Sequence, residues 1–201
     1  MFLIREPSEE DAARFVASQR DLAFTYAEVG ATNASPPTTY TVDHNRIQLG
    51  AGETIYRSAV EALKNWRHFD LGWVTITPRG VPVEVGATVA VKARAFGTWS
   101  LSATRIVYTI EEERRFGFAY GTLPDHVEKG EERFLVEWLA DDTVWYDILA
   151  FSRPRHPLVR LSAPFARRLQ RQFARDSLNQ MKSVTTDNTD KNPDLIRVIR
   201  G

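Results

Sequence analysis

Apolar positions follow a helical period at both ends of the chain and alternate through its middle. Ser8, with Pro7 before it and Asp11 three residues on, is a helix start of the capping type. Ala12, Phe15, Val16, Leu22 and Ala23 then keep a helical spacing that ends before Gly30. ATNASPP has the composition of a loop, and YTVDHNRIQLG, from Tyr40, reads as a strand broken by Gly50 and Gly52. In ETIYRSAVEALKNWRHF, Ile55, Ala59, Ala62, Leu63 and Trp66 share one stripe, which predicts a second helix.

From Leu71 to Arg153 the period becomes two. It predicts strands over 72–77, 87–96, 99–111, 115–122, 131–139 and 143–152, with short polar or glycine-containing breaks between them. Short connections make antiparallel hairpins, not parallel crossovers. A last helix is predicted from 158 to 182, where Leu161, Phe165, Leu169 and Phe173 stand four apart and Pro164 marks a kink or the first turn. The tail over 183–201 is polar, and its LIRVI segment either docks as a short strand or stays loose. The order predicts an α+β protein: a curved six- to seven-stranded antiparallel sheet with a long C-terminal helix packed across it. Such a helix leaves an interior gap, a place where small molecules bind.

Composition narrows the class. At 201 residues, 43% apolar and 26% charged, the chain has the makeup of one globular domain. It has no cysteine, hence no disulfide or thiolate nucleophile, and no apolar run long enough to span a bilayer. MFLIREPSEED lacks the regions of a signal peptide, so the expected location is cytoplasmic. The net charge of zero conceals seven arginines and one lysine against the single Asp176 over 153–182. Those cations are either the solvated face of a helix or a docking surface for an acidic partner; nucleic acid is not expected from a neutral domain.

HNRIQLGAG, LGWVTI, TWSLSATRIVY, RRFGFAYGTL with GEERFLVEW, and YDILAFSRPRHPL together resemble uncharacterised protein family 0548, over residues 40–182. The resemblance implies a START-like, helix-grip domain over 1–182, with 1–30 as an N-terminal helical extension. It also implies a cavity between sheet and C-terminal helix, used in that superfamily mainly for hydrophobic ligands and sometimes for catalysis. It brings no catalytic residue with it.

The residues themselves offer few motifs. Gly50-Ala-Gly52 fits neither nucleotide fingerprint and is read as a tight turn. His44, His68, His126 and His156 form no metal-ligand spacing, and no nucleophile elbow occurs, so no metal, cofactor or hydrolytic triad is expected. Polar groups inside apolar strands are better candidates. Arg105, Glu137 and Asp147 are such charges, which either form a structural salt bridge or orient a ligand. If the last hairpin turns at Asp141-Asp142, Glu137 and Asp147 face opposite sides; a turn one residue longer puts them on the same side. The candidate ligand-binding residues are Arg105, Tyr120, Glu137, Tyr146 and Trp99.

GFAYGTLPDHVEKGEE invites an active-site reading because His126 stands beside Glu128, Glu131 and Glu132. In the strand order it becomes a hairpin connection from Asp125 to Gly130. Gly117, Ala119 and Gly121 leave one strand face bare for a close neighbour, which shifts attention from His126 to Tyr120. The leading expectation is a binder of a small hydrophobic or amphipathic molecule. The alternatives are an enzyme acting on a lipid-like or polyketide-like substrate, with a tyrosine or Glu137 as acid/base, and a module docking through its arginine-rich helix.

Overall fold

The computed structural model describes residues 1–126, 128–154 and 163–191. Helix α1 (Glu9–Gln19) opens with the predicted capping box: the Ser8 hydroxyl accepts the Asp11 amide, and the Asp11 carboxylate accepts the Ser8 amide, both at 3.1 Å. Strands β2 (Thr41–Ala51), β3 (Val74–Thr77), β4 (Thr88–Ala95), β5 (Thr98–Glu112), β6 (Arg115–Thr122), β7 (Glu128–Trp138) and β8 (Thr143–Pro154) form one antiparallel sheet in the order β2-β8-β7-β6-β5-β4-β3. A two-residue strand, β1 (Phe2–Leu3), adds to β5 and has no counterpart in the sequence pattern, being too short to show a period.

Helix α2 (Glu53–Lys64) and a 3-10 turn (Arg67–Phe69) fill one end of the concave face. There Tyr56, Ala59 and Leu63 join Phe116, Phe118, Phe134, Val136 and Tyr146 in the main core. Helix α3 (Ala163–Lys191) lies over the same face and contributes Phe173, Leu178 and Met181 to that core. This is the expected helix-grip arrangement. Pro164 lies in the first turn of α3, the position where a missing N–H leaves no helical bond unmade. The helix runs nine residues past its predicted end at 182, into the segment read as polar tail, because Val184 and Thr185 still pack inward. Residues 155–162, which hold His156 and Arg160, and the LIRVI segment lie outside the described residues.

The convex face is covered too. Ala12, Phe15 and Val16 of α1 pack on Ala90, Leu101, Ala103 and Leu123. Further along, Tyr26, Tyr40 and Phe151 make a smaller cluster. The bare face of β6 receives this cover: a Cβ on Gly121 would overlap the Tyr26 hydroxyl. The close neighbour is therefore the chain's own N-terminal segment.

Candidate functional site

Strand register sets what the concave face presents at the end left open by α2. Tyr120 of β6 pairs with Glu132 of β7, Glu132 with Ala150 of β8, and Ala150 with Asp43 of β2. One straight row across four strands thus reads Tyr120, Glu132, Ala150, Asp43, with neighbouring strands about 4.8 Å apart. Period two along β7 brings Glu128 to the same face as Glu132. Above this row, α3 supplies Ala166, Leu169, Gln170, Phe173 and Ala174. Between them lies a cavity of about 950 Å³.

Its walls divide. Towards β3 and β4 they are apolar, with Trp73, Val74, Val91, Ala93, Phe69 and Phe173. Towards β7 and β8 they are acidic and hydrogen-bonding. The Tyr120 hydroxyl donates to Glu132 Oε2 at 2.7 Å, and among the described residues no hydrogen bond is made to Oε1. Gln170 of α3 donates through Nε2 to Glu128 and, at 3.1 Å, to the Ser152 hydroxyl. His126 Nδ1 lies 3.1 Å from both the amide nitrogen and the carbonyl oxygen of Glu128, so the Glu128 backbone holds that side of the ring. Arg167 closes the row with two hydrogen bonds to the Asp43 carboxylate, one of them 2.8 Å long.

Burial governs the protonation of these groups. Desolvation lifts the Glu132 carboxyl to about 7, against a smaller lowering from the Tyr120 hydrogen bond and a further rise from Glu128. Desolvation also raises Glu128, and it pushes His126 down to about 4, so that this imidazole is neutral at ordinary pH. The Tyr120 hydroxyl is raised well above its usual value, chiefly by burial and then by the neighbouring Glu132 charge. The cavity wall therefore combines a carboxyl that titrates near neutrality with a phenol that stays protonated.

The predicted residues separate on this map. Tyr120 lines the cavity. Tyr146 is on the same sheet face but fully buried in the main core, its hydroxyl 3.2 Å from Ser177 Oγ. Arg105 points from the convex face to the end of α1, where it donates to the carbonyls of Gln19 at 3.2 Å, Arg20, and Leu22 at 2.8 Å. Its Nε donates to the Thr88 hydroxyl at 3.3 Å, and among the described residues it meets no carboxylate. Trp99 packs under Lys92 and Arg94, on the face opposite the cavity-lining Thr98 and Ser100.

Glu137 pairs with Arg115 and Arg46, both at 3.2 Å, again on the convex face. The observed register sets Glu137 against Trp145 and Leu135 against Asp147, one residue off the two-residue-turn register. Glu137 and Asp147 consequently share a face, yet each has its own partners, Asp147 meeting Arg133 at 3.0 Å and His44. They form no acid/base pair.

His126, Glu128 and Glu132 are the cavity residues that the sequence reading set aside. Strand β7 begins at Glu128, three residues earlier than the alternation suggested, so half of the supposed loop is cavity wall. The signal was present: Glu128, Gly130, Glu132, Phe134 and Val136 keep period two, with the polar members masking it. Glu131, next to them, faces the other way. Its carboxylate accepts from Tyr26 Oη and the Gly30 amide at 2.7 Å, the Thr32 amide at 2.9 Å, and the Thr32 hydroxyl. That buried carboxylate pins the 24–33 segment to the convex face. Of the arginine face on α3, Arg167 is engaged by Asp43, Arg171 donates to the Arg167 carbonyl, and Arg175 lies 3.5 Å from Asp176. Among the described residues no helix is long and apolar enough to cross a membrane.

The matches to other proteins agree with this architecture. A structure of a hypothetical protein from Helicobacter pylori superposes with a TM-score of 0.57 at 11% identity, over 81% of this chain and 96% of that one, which is a likeness of fold. A UPF0548 protein of Dictyostelium discoideum is 38% identical over 210 residues, covering 94% of this chain and 97% of the relative. Another, from Deinococcus radiodurans, is 38% identical over 188 residues, covering 87% and 94%. The family model described as Domain of unknown function (DUF1990) matches residues 25–180, which begins after α1. The chain belongs to the UPF0548 family and carries the DUF1990 domain.

Proposed function

We propose that this protein encloses a small hydrophobic or amphipathic molecule between the sheet and α3. The observation that carries the reading is the divided wall of the 950 Å³ cavity: apolar on the β3–β4 side, hydrogen-bonding at Tyr120, Glu132 and Glu128 on the other. A volume of that size is typical of small-molecule sites. Burial of the ligand's apolar body supplies affinity at about 25 cal/mol per Å², and the polar end sets its orientation. Mass spectrometry of solvent extracts from the purified protein tests this, together with thermal shifts across lipid and aromatic libraries. A co-purifying small molecule, lost in a cavity-filling Ala93→Phe variant, supports the reading. Empty extracts and a melting temperature that no compound moves would sink it.

An enzyme in the same cavity is the second reading, favoured by one observation. Burial holds Glu132 near 7, where a carboxyl both takes up and releases protons at neutral pH. Tyr120, bonded to it, can donate to a developing oxyanion. In this reading Glu132 and Tyr120 take the acid/base role expected of a tyrosine or Glu137. An extracted ligand incubated with the protein in D2O would gain deuterium at an acidic carbon, and Glu132→Gln would stop the exchange.

A further inference from the structure

The polar end of the cavity has a definite sign. Asp43, Glu128 and Glu132 all line it, and Asp43 is matched by Arg167. Glu128 has Gln170 as its side-chain donor and Glu132 has Tyr120; among the described residues neither forms an ion pair with a lysine or arginine. Arg171 is the lining cation among the described residues, and it is exposed, its Nε turned back to the Arg167 carbonyl at 3.3 Å. The buried ring of His126, its Nδ1 held against the Glu128 backbone, adds a neutral wall and no positive charge. Two acidic side chains therefore stand in a site shielded by α3, with no hydrogen bond to Glu132 Oε1 among the described residues, beside the aromatic faces of Phe69, Trp73 and Phe173. An anionic headgroup would be repelled here, and a desolvated carboxylate without a counter-ion is costly. A cation relieves that cost, and aromatic walls favour a cation further.

We infer that the molecule held in this cavity is an amphipath with a cationic nitrogen, an ammonium or amidinium, seated between Glu132 and Glu128 with its apolar body along Val74, Val91 and Phe173. This rests on the ligand-binding reading above and adds the chemical class. Ala150, the small residue between Glu132 and Asp43 in the cross-strand row, leaves room for such a headgroup.

The test is calorimetric titration of the full chain at pH 8 with three probes of equal length: nonylamine, nonan-1-ol and nonanoate. The amine should bind at least about tenfold more tightly than the alcohol, a difference of about 1.4 kcal/mol, with nonanoate the weakest. Lowering the pH to 5.5 should erase the amine's advantage while leaving the alcohol unchanged. Glu132→Gln should bring the amine down to the alcohol's affinity, and Glu128→Gln should weaken it in part; circular dichroism reports whether each variant is folded. Equal binding of amine and alcohol, or a preference for nonanoate, overturns the cationic headgroup and leaves the ligand-binding reading standing. If none of the three probes binds, both fall.

Discussion

Tyr120 and Glu132 sit directly opposite each other on β6 and β7, joined by a 2.7 Å hydrogen bond at the wall of the cavity. The carboxyl titrates near 7 in the folded protein against 4.5 when solvated. The folded state thus binds more protons than the unfolded chain between those values, and stability falls as pH rises through the window. This residue alone removes up to about 1.4 kcal/mol per pH unit there. Glu132→Gln, whose amide oxygen still accepts from Tyr120, should match the wild type at pH 4 and exceed it at pH 8. Urea melts at both pH values measure the difference; equal stabilities at pH 8 would show that Glu132 is not desolvated. A residue that destabilises the free fold in this way is one mark of a functional site.

Arg105 and the end of α1 make a structural unit. Three carbonyls at and just beyond the end of the helix converge on one guanidinium, whose side chain also lies over the Phe24 ring. Arg105→Ala should lower stability by about 1–3 kcal/mol and speed hydrogen exchange in α1, because three carbonyls lose a shared charged donor. Ligand affinity should not change. A large loss of affinity with α1 still protected would instead return Arg105 to the binding site.

The contrast between these two residues shows what the sequence discloses. Periodicity located the helices and strands, and it found Tyr120 because an aromatic stripe at period two marks one sheet face. It could not rank Arg105, since helix-end carbonyls as partners leave no trace in side-chain identity. Register left open whether Glu137 and Asp147 share a face: Asp142 adopts a left-handed conformation in the longer of the two turns, which puts them on the same side. Glu128 and Glu132 were hidden by their charge, because acidic residues in a strand read as loop until a cavity explains them. The family resemblance and the order of elements agreed on the helix-grip arrangement, a long C-terminal helix across a curved antiparallel sheet.

Gly121 and Tyr26 form a second testable pair, on the convex side. The Tyr26 ring lies against the strand where a side chain would stand, and its hydroxyl is fixed to Glu131 at 2.7 Å. Gly121→Ala should destabilise by roughly 1–3 kcal/mol through overpacking. With Tyr26→Ala already present the same change should become nearly neutral, since the clashing ring is gone. A double-mutant cycle in urea measures this coupling. Additive effects would mean that the glycine serves the β6 backbone and not the docking of Tyr26.

His68 completes the set from the core. Its ring is fully buried among Trp66, Phe69, Phe118 and Phe134, and neither nitrogen has a hydrogen-bond partner among the described residues. Desolvation lowers its pKa from 6.5 to about 3, so the folded state holds it neutral while the unfolded chain protonates it. Stability from this group is fully present above pH 6.5 and declines by up to about 1.4 kcal/mol per unit as pH falls toward 3. This opposes the trend set by Glu132, and where the two windows overlap, between about pH 4.5 and 6.5, the two contributions largely cancel. His68→Phe keeps the aromatic contacts and removes both the proton site and the unmade hydrogen bonds. It should equal or exceed the wild type at pH 7 and pull progressively ahead at pH 5 and pH 4. A constant difference across that range would show that protonation of His68 plays no part in acid unfolding.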